Sequence, residues 1–292
     1  MLHELPDHPT TKAVLSEMTE VLGYEVRELD SETALRSSVS TQLALLASGV
    51  ASARILMDSG LEFTAVAGLS AGAYAAAVAA DAVSLADATR LVRSRADQME
   101  RMYPAGYGLA ALIGLNETQV TKLVESVYSD AEPVFVANIN APLQIVIAGS
   151  INAMKKVLLL AASQGARKAE LLDVRVPSHC PLLEPVARSL RIQMEAIRVS
   201  APKIVYITNV NARPIRSAEG IKRDLADNIA HGVRWHDATT VAHELGCTLF
   251  LEVPPGHVLT DLILDSLQDV QAYPVTPERI GQVLRSLSRK EM

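Results

Sequence analysis

The sequence predicts an α/β fold, in which a discontinuous domain with a parallel sheet is interrupted by a small inserted subdomain. Three observations support this prediction. Short apolar segments alternate with segments of helical periodicity in the first and last parts of the chain. Six compact elements in the order βαββαβ lie between those parts. Breaks rich in proline and glycine near Tyr103 and Pro177 mark the two joints.

Length and composition indicate a globular protein. The chain has 292 residues, of which 49% are hydrophobic and 21% charged, and a chain of this size folds without disulfides or metal ions. No segment reaches the roughly 18 uninterrupted apolar residues of a membrane span, so we expect no membrane association. The net charge of −6 argues against general nucleic-acid binding. Cys180 and Cys247 show no CxxC spacing, and no signal peptide is recognisable, which favours a reduced cytoplasmic protein.

The first part of the chain predicts helices around one short strand. Apolar spacing indicates a helix over residues 10–22, and an alanine- and leucine-rich run predicts a buried helix over residues 41–59. Residues 61–68 are apolar and end at a glycine, and alanine-rich residues follow, which favours a strand, a sharp turn and a helix. The next helix begins at Ser84, with Asp87 at the reciprocal position of a capping box.

The middle of the chain predicts a separate subdomain. The strands LAALIGL, VFVANIN, LQIVIAGS and AELLDVRV alternate with helices over residues 117–128 and 153–164 in the ferredoxin-like order βαββαβ. Helices and strands then alternate again, with strands over residues 204–208 and 248–253. We therefore assign residues 1–106 and 178–292 to the large domain and residues 107–177 to a ferredoxin-like subdomain.

Residues 68–72 read GLSAG, which has the form GxSxG. A serine in this motif occupies a tight turn between a strand and a helix, from which the hydroxyl projects. The amide of Ala71, at the N-terminus of the following helix, would then point toward an oxyanion formed when Ser70 attacks a carbonyl. Ser70 is a candidate nucleophile in an α/β-hydrolase-like domain. The alternative is an accidental turn in an alanine-rich chain.

A serine nucleophile needs a base, and His179 is the strongest candidate. It lies in VPSHCP, where the chain leaves the inserted subdomain and returns to the large domain. A structural histidine is the alternative, and the adjacent Cys180 fits a buried thiol better than a nucleophile. Because His231, His236 and His243 lack the i,i+4 spacing of helical metal pairs, the sequence predicts no metal site.

Arg95 is predicted to face the protein interior. It lies near the centre of an apolar stripe on the helix that begins at Ser84. The stripe contains Leu85, Ala88, Val92, Met99 and Met102. A buried guanidinium requires an anionic partner, and its planar fork suits a carboxylate. That carboxylate could belong to a substrate or, in the structural alternative, to the protein.

This combination resembles the malonyl-CoA:acyl carrier protein transacylase family over nearly the whole chain. The similar segments are GLSAG, RSRADQMERMYPAGYGLAALIGL, ANINAPLQIVIAG, VPSHCPLLEP, ITNVNARPI and LFLEVPPGHVLT. Within the family, GLSAGAYAAAV is most similar to the malonate decarboxylase epsilon subunit. The resemblance implies transfer of a malonyl group from malonyl-CoA to the prosthetic-group thiol of an acyl carrier protein, here the carrier subunit of malonate decarboxylase.

The resemblance also implies residue roles. Ser70 would be the nucleophile, His179 the general base and then acid, and Arg95 the clamp for the malonyl carboxylate. Asn228 matches the position whose main-chain carbonyl orients the histidine, and Asn140 matches a position lining the carrier channel. No cofactor is expected, because malonyl-CoA is a substrate.

Three departures from the family pattern qualify these expectations. Leu69 replaces a histidine often found before the serine, and Pro254 replaces the first glycine of a GPG loop. The family's first strand, whose following turn carries a glutamine as second oxyanion donor, has no counterpart. We therefore expect an N-terminally shortened and impaired enzyme, with only the amide of Ala71 to stabilise the oxyanion.

Two other functions remain open from the sequence. A serine thioesterase or hydrolase would use the same serine and histidine, with water replacing the carrier thiol. A catalytically impaired docking subunit of a malonate decarboxylase complex would keep the fold and lack an oxyanion hole. For a carrier protein, the sequence offers a cationic stretch: residues 165–223 contain eleven basic and five acidic residues. We predict that an acidic carrier docks there through Arg167, Lys168, Arg188 and Arg191.

Overall fold

The computed structural model describes residues 1–103 and 105–276. The helices are α1 (Pro9–Leu22), α2 (Ser38–Asp58), α3 (Gly72–Ala79), α4 (Leu85–Met102), α5 (Glu117–Val127), α6 (Ile151–Ser163), α7 (Glu184–Glu195), α8 (Ala218–Asp227), α9 (Trp235–Glu244) and α10 (Val258–Ser266). The strands are β1 (Ala65–Ala67), β2 (Tyr107–Ile113), β3 (Val134–Ala141), β4 (Gln144–Ser150), β5 (Lys168–Leu171), β6 (Val205–Ile207), β7 (Pro214–Ile215), β8 (Leu249–Glu252) and β9 (Gln271–Pro274). Pro104, in the predicted first joint, and residues 277–292 of the predicted large domain lie outside the described residues.

The helix α2 lies in the core of the large domain, as its apolar sequence predicted. By length and composition it could cross a membrane, but 72% of its most apolar window is buried inside the protein. It contacts α1, α3 and α4. A Cβ atom at Gly49 would lie 3.0 Å from that of Ala75 in α3, so small residues allow these two helices to approach closely.

The helix α4 is amphipathic and capped at Ser84. The Ser84 hydroxyl oxygen accepts a hydrogen bond from the backbone N–H of Asp87 at 3.0 Å. In a capping box, the Asp87 carboxylate would accept a hydrogen bond from the backbone N–H of Ser84. Here it accepts one from the Ser84 hydroxyl instead. Most of the predicted apolar stripe is buried, but Met102, in the last turn, is 38% exposed.

Residues 107–171 form the predicted elements in the order βαββαβ. Their antiparallel sheet has the strand order β3-β4-β2-β5. The helices α5 and α6 contact each other and pack on this sheet, enclosing an apolar core that includes Leu112, Ile145 and Met154. β3 also contacts α9, and the Ile139 amide donates to the Val233 carbonyl at 2.8 Å. The inserted elements are thereby attached to the large domain.

The prediction of one parallel sheet in the large domain is wrong for the described residues. β1 and β6 are parallel, but β7 pairs antiparallel with β6, and β8 and β9 form a separate parallel pair. Strands exchange hydrogen bonds only at a spacing of about 4.8 Å. Among the described strands, β1 pairs with β6 and β8 with β9, and β1 and β8 both line a largely apolar cavity of about 620 Å³.

Candidate active site

The turn that carries Ser70 joins β1 to α3, as the GxSxG motif predicted. Ser70 has a φ of 56°, in the left-handed region that few residues with side chains adopt. A Cβ atom at Gly68 would lie 2.1 Å from the carbonyl group of Gly72, whereas a Cβ atom at Gly72 would meet nothing within 4 Å. The turn therefore requires a glycine at the first position of the motif, because a side chain at Gly68 would clash with the backbone of Gly72.

His179 lies directly against the serine. Its Nε2 atom is 2.7 Å from Ser70 Oγ, and its Nδ1 atom is 2.6 Å from the main-chain oxygen of Asn228. Because a carbonyl only accepts, Nδ1 carries the proton, and Nε2 is left to accept the Ser70 hydroxyl proton. Asn228 therefore contacts the histidine through its backbone. Its side-chain amide is buried without a hydrogen-bond partner among the described residues.

The environment of His179 keeps the imidazole neutral. Burial and, secondarily, the positive charge of Arg95 lower the pKa of His179 to about 4, against the effect of its hydrogen bond to Asn228. The neighbouring Cys180 is not activated, since burial raises the pKa of its thiol to about 12. Its thiol donates to the Pro177 carbonyl at 3.2 Å. The histidine is thus available as a base, while the cysteine remains protonated.

Arg95 is buried beside the serine and has no carboxylate partner in the described ranges. The side chain is 1% exposed, and one terminal nitrogen donates to Ser70 Oγ at 3.1 Å. The other terminal nitrogen donates to Gln42 Oε1 on α2, while Nε has no partner among the residues that the structure describes. Burial lowers the pKa of Arg95. Since an uncompensated buried cation is destabilising, this arrangement favours an anionic ligand over a structural ion pair.

The two remaining candidates differ in their relation to Ser70. The Ala71 amide precedes α3 and makes no hydrogen bond within the described part of the chain, so it is free to stabilise an oxyanion. Asn140 lies on β3, where its Oδ1 is buried and unpartnered. The structure thus brings Ser70, His179, Arg95 and the main chain of Asn228 into contact, with the Ala71 amide next to the serine in the chain, and the channel position of Asn140 stays a prediction.

Sequence reasoning missed two residues that contact this site. Gln42 accepts a hydrogen bond from Arg95. Asn209 accepts one from the Ser70 N–H and donates one to the Gly68 carbonyl. A signal for Gln42 existed, because it is a polar residue within the apolar helix α2. Asn209 follows β6, at the carboxyl end of a parallel strand next to β1, where ligand-binding groups commonly gather.

The arrangement is suited to covalent acyl chemistry. It combines a serine hydroxyl, a neutral base hydrogen-bonded to that hydroxyl, a free amide at a helix N-terminus and a buried cation. In residues 1–103 and 105–276, no group of three or more His, Cys, Asp or Glu side chains could hold a metal ion. The groups that contact or adjoin the serine hydroxyl are His179, Arg95 and the Ala71 amide.

Comparisons with known proteins identify the family of this chain. A family described as "Acyl transferase domain" matches residues 10–287. A malonyl-CoA-acyl carrier protein transacylase of Salmonella typhimurium is 33% identical over 276 residues, covering 91% of this chain and 89% of that protein. The structure of a malonyl-CoA-acyl carrier protein transacylase from Coxiella burnetii is 31% identical and has a TM-score of 0.93, covering 98% of this chain and 93% of that one.

A malonyl-transacylase solved in complex with its type II polyketide acyl-carrier protein has a TM-score of 0.90 and 32% identity, covering 96% of this chain and 92% of that one. The family match spans most of the chain, and the relatives exceed 30% identity over nearly their whole lengths. The chain therefore belongs to the acyl transferase family, among the malonyl-CoA:acyl carrier protein transacylases.

Proposed function

We propose that this enzyme transfers a malonyl group from malonyl-CoA to the thiol of an acyl carrier protein through an ester on Ser70. The observation that carries the proposal is the buried guanidinium of Arg95, which lies 3.1 Å from Ser70 Oγ and has no carboxylate partner in the part of the chain described. One methylene group separates the carboxylate and the thioester of a malonyl group. A bound carboxylate at Arg95 would therefore hold the thioester carbonyl near the serine.

The first half-reaction forms the acyl-enzyme. His179 Nε2 takes the Ser70 hydroxyl proton as Oγ attacks the thioester carbonyl carbon, which gives a tetrahedral oxyanion. The amide of Ala71 donates to that oxyanion. When the intermediate collapses, the carbon–sulfur bond breaks, and the leaving sulfur of CoA takes the proton from His179.

The second half-reaction repeats these steps with the carrier thiol. His179 removes the thiol proton as the sulfur attacks the ester carbonyl, and a second oxyanion forms. Collapse breaks the bond to Ser70 Oγ, which recovers its proton from His179. Malonyl-CoA is a substrate in this scheme, and no step uses a resident cofactor.

Intact-mass measurement tests this proposal. The enzyme mixed with malonyl-CoA is expected to gain one malonyl mass on Ser70, and addition of a carrier protein is expected to remove that mass and transfer it to the carrier thiol. Release of the malonyl group only as free malonate, with no labelled carrier, would instead indicate a hydrolase.

For the acceptor, we propose the carrier subunit of malonate decarboxylase. The similarity of GLSAGAYAAAV to the epsilon subunit of that system and the presence of Leu69 before the nucleophile support this choice. Parallel transfer reactions with this carrier subunit and with a fatty-acid carrier protein at equal concentration test it. A faster transfer to the fatty-acid carrier would contradict the assignment.

We also propose the domain division inferred from the sequence, with residues 107–177 as a ferredoxin-like subdomain between the two parts of the large domain, 1–106 and 178–292. The strand order β3-β4-β2-β5 and the separate apolar core of these residues support it.

Cys180 and Cys247 are free thiols, which supports a cytoplasmic location.

The pH dependence of Ser70 acylation should reflect the neutral state of His179. The base form is active, so kcat/KM should fall only as the pH drops through about 4, well below the ordinary histidine value of 6.5. Because the charge of Arg95 contributes to this lowering, Arg95→Ala should move the acid limb toward 6.5. An uncharged ester such as p-nitrophenyl acetate suits the measurement, because the ester itself does not titrate.

The same pKa shift limits the pH range of this experiment. The unfolded chain takes up a proton on this histidine below pH 6.5, whereas the folded protein does so only near 4. His179 therefore lowers the free energy of unfolding as the pH falls between these values. Melting curves should establish that the protein stays folded at each pH. An acid limb of kcat/KM near pH 6.5 in the wild-type enzyme would contradict the buried, neutral state of His179.

Two of the four basic residues predicted to bind the carrier form ion pairs within the protein. Lys168 pairs with Glu170, and Arg191 pairs with Glu184 and Asp227. Their charges are already partly neutralised. Arg167 and Arg188 are exposed and form no ion pair within the described ranges, so we propose that these two arginines meet the acidic carrier.

Charge reversal tests the docking surface. The double variant Arg167→Glu/Arg188→Glu should slow transfer to an acidic carrier by about tenfold or more at low salt, because local potential raises encounter rates by roughly 10 to 10³. Transfer to a small thiol should not change. Lys122→Glu, at an exposed position outside the stretch, is the control. Equal losses with both acceptors would refute docking at these arginines.

A further inference from the structure

The backbone of the nucleophile turn is held by a side chain that the proposed mechanism does not use. Asn209 follows β6 and is 4% exposed. Its Oδ1 accepts a hydrogen bond from the Ser70 N–H at 2.9 Å, and its Nδ2 donates to the Gly68 carbonyl at 2.9 Å. Asparagine and glutamine are the uncharged side chains that combine an acceptor and an amide donor in one plane.

This bridge stabilises an unusual backbone geometry. Ser70 has a φ of 56°, and residues with side chains keep such values only where the surroundings enforce them. Without the bridge, the Ser70 N–H and the Gly68 carbonyl would have no hydrogen-bond partner in residues 1–103 and 105–276, and the turn could relax. Relaxation would move Ser70 Oγ away from His179 Nε2, which now lies at 2.7 Å.

Asn209 is in turn held by a buried carboxylate on α8. Asp224 is 3% exposed, and its Oδ1 accepts from the backbone N–H groups of Asn209 at 2.9 Å and Val210 at 3.2 Å. Its Oδ2 accepts from the Tyr206 hydroxyl at 2.7 Å. These donors fix the backbone from which the Asn209 side chain reaches the nucleophile turn.

The helix α8 also contacts the other parts of the site. Tyr74, on the helix that follows the nucleophile, donates its hydroxyl to the Leu225 carbonyl at 2.8 Å. The residue after α8, Asn228, accepts from His179 through its main-chain oxygen. The nucleophile and the base are therefore both fixed to one end of the same helix.

We propose that Asn209, held by Asp224, is a positioning residue that keeps the Ser70 hydroxyl aligned with His179 during acylation. The proposal rests on the proposed role of Ser70 as the nucleophile. The hydrogen bonds of the Asn209 side chain go to the backbone of Ser70 and Gly68 and not to Arg95, so its loss should lower the rate of acylation without weakening the capture of malonyl-CoA.

Asn209→Leu tests this role, because leucine has a similar size and forms no hydrogen bonds. We expect the acylation rate to fall by about 10²-fold, the usual consequence of misplacing a reacting group by about 1 Å, while the KM for malonyl-CoA stays at its wild-type value. Asn211→Leu is the matched control. Asn211 is exposed in the same loop, and its side chain accepts a hydrogen bond from Thr208 and not from the nucleophile turn, so its variant should acylate at the wild-type rate.

A pair of variants at Asp224 keeps the proposal testable if Asn209→Leu does not fold. Asp224→Ala should slow acylation because it releases the backbone of Asn209. Asp224→Asn retains an oxygen acceptor and should recover at least part of that loss. Three results would overturn the role of Asn209. The first is a wild-type acylation rate in Asn209→Leu, and the second is a change in that variant confined to the KM for malonyl-CoA. The third is an equal acylation rate in Asp224→Ala and Asp224→Asn. A malonyl adduct that persists in Ser70→Ala would instead overturn the proposed function.

Discussion

Ser70→Ala is expected to remove the covalent malonyl adduct completely, because no other nucleophile lies against His179 Nε2 in the described structure. Under the same conditions, His179→Ala should slow adduct formation by about 10⁴-fold or more, since an unassisted serine hydroxyl is a poor nucleophile. Stopped reactions analysed by intact mass, followed by peptide mapping, measure both effects. An adduct of normal yield on the Ser70→Ala protein would exclude the covalent mechanism.

Two controls separate chemistry from damage to the fold. Cys180→Ala removes the thiol that directly follows His179 in the chain, and it should retain the adduct because the Cys180 thiol is protonated with a pKa of about 12. His231→Ala removes an exposed imidazole that bonds the Asp227 carbonyl at 3.0 Å, and it should acylate at the wild-type rate. Loss of the adduct in either control would point to a structural effect.

Arg95→Ala is expected to reverse the preference for malonyl-CoA over acetyl-CoA. Leaving a buried carboxylate without its partner costs about 3 kcal/mol or more, which corresponds to roughly 100-fold or more in kcat/KM. Acetyl-CoA carries no carboxylate, so its kcat/KM should not fall by a comparable factor. Competition between the two thioesters in one reaction, read as the ratio of the two acyl-enzyme masses, measures the preference directly.

The same helix supplies the controls for this experiment. Arg93 is exposed on α4, so Arg93→Ala should leave the ratio unchanged. Arg95→Lys keeps the charge without the planar fork, and an intermediate ratio is expected. If Arg95→Ala retains the wild-type ratio of malonyl to acetyl adducts, Arg95 has only a structural role.

Local patterns in the sequence determined most of the elements and the identity of the central residues. The GLSAG motif predicted a strand, a turn and a helix, and the structure has β1, a turn at Ser70 and α3. The apolar stripe of α4 predicted the burial of Arg95, which is 1% exposed. These predictions succeed because steric limits on a tight turn and helical periodicity depend on residues close together in the chain.

Strand pairing could not be derived in the same way. The sequence predicted one parallel sheet, whereas the described strands form separate sets, with β7 antiparallel to β6 and β8 paired with β9. The short strands β7 and β9 were not predicted. Pairing partners depend on which backbone edges come within hydrogen-bonding distance after packing, and the hydrophobic pattern of an isolated strand does not specify them.

The alignment of the catalytic groups was likewise decided by the tertiary structure. His179 lies 109 residues after Ser70, yet its Nε2 lies 2.7 Å from the serine oxygen. Asn209 reaches Ser70 across 139 positions of the chain, and no local pattern marks its two hydrogen bonds. The sequence by itself determined which side chains have the required chemistry. Only the packing of α4, α8 and the strand ends around Ser70 determined their distances and their burial, because hydrogen bonds and desolvation depend on three-dimensional proximity.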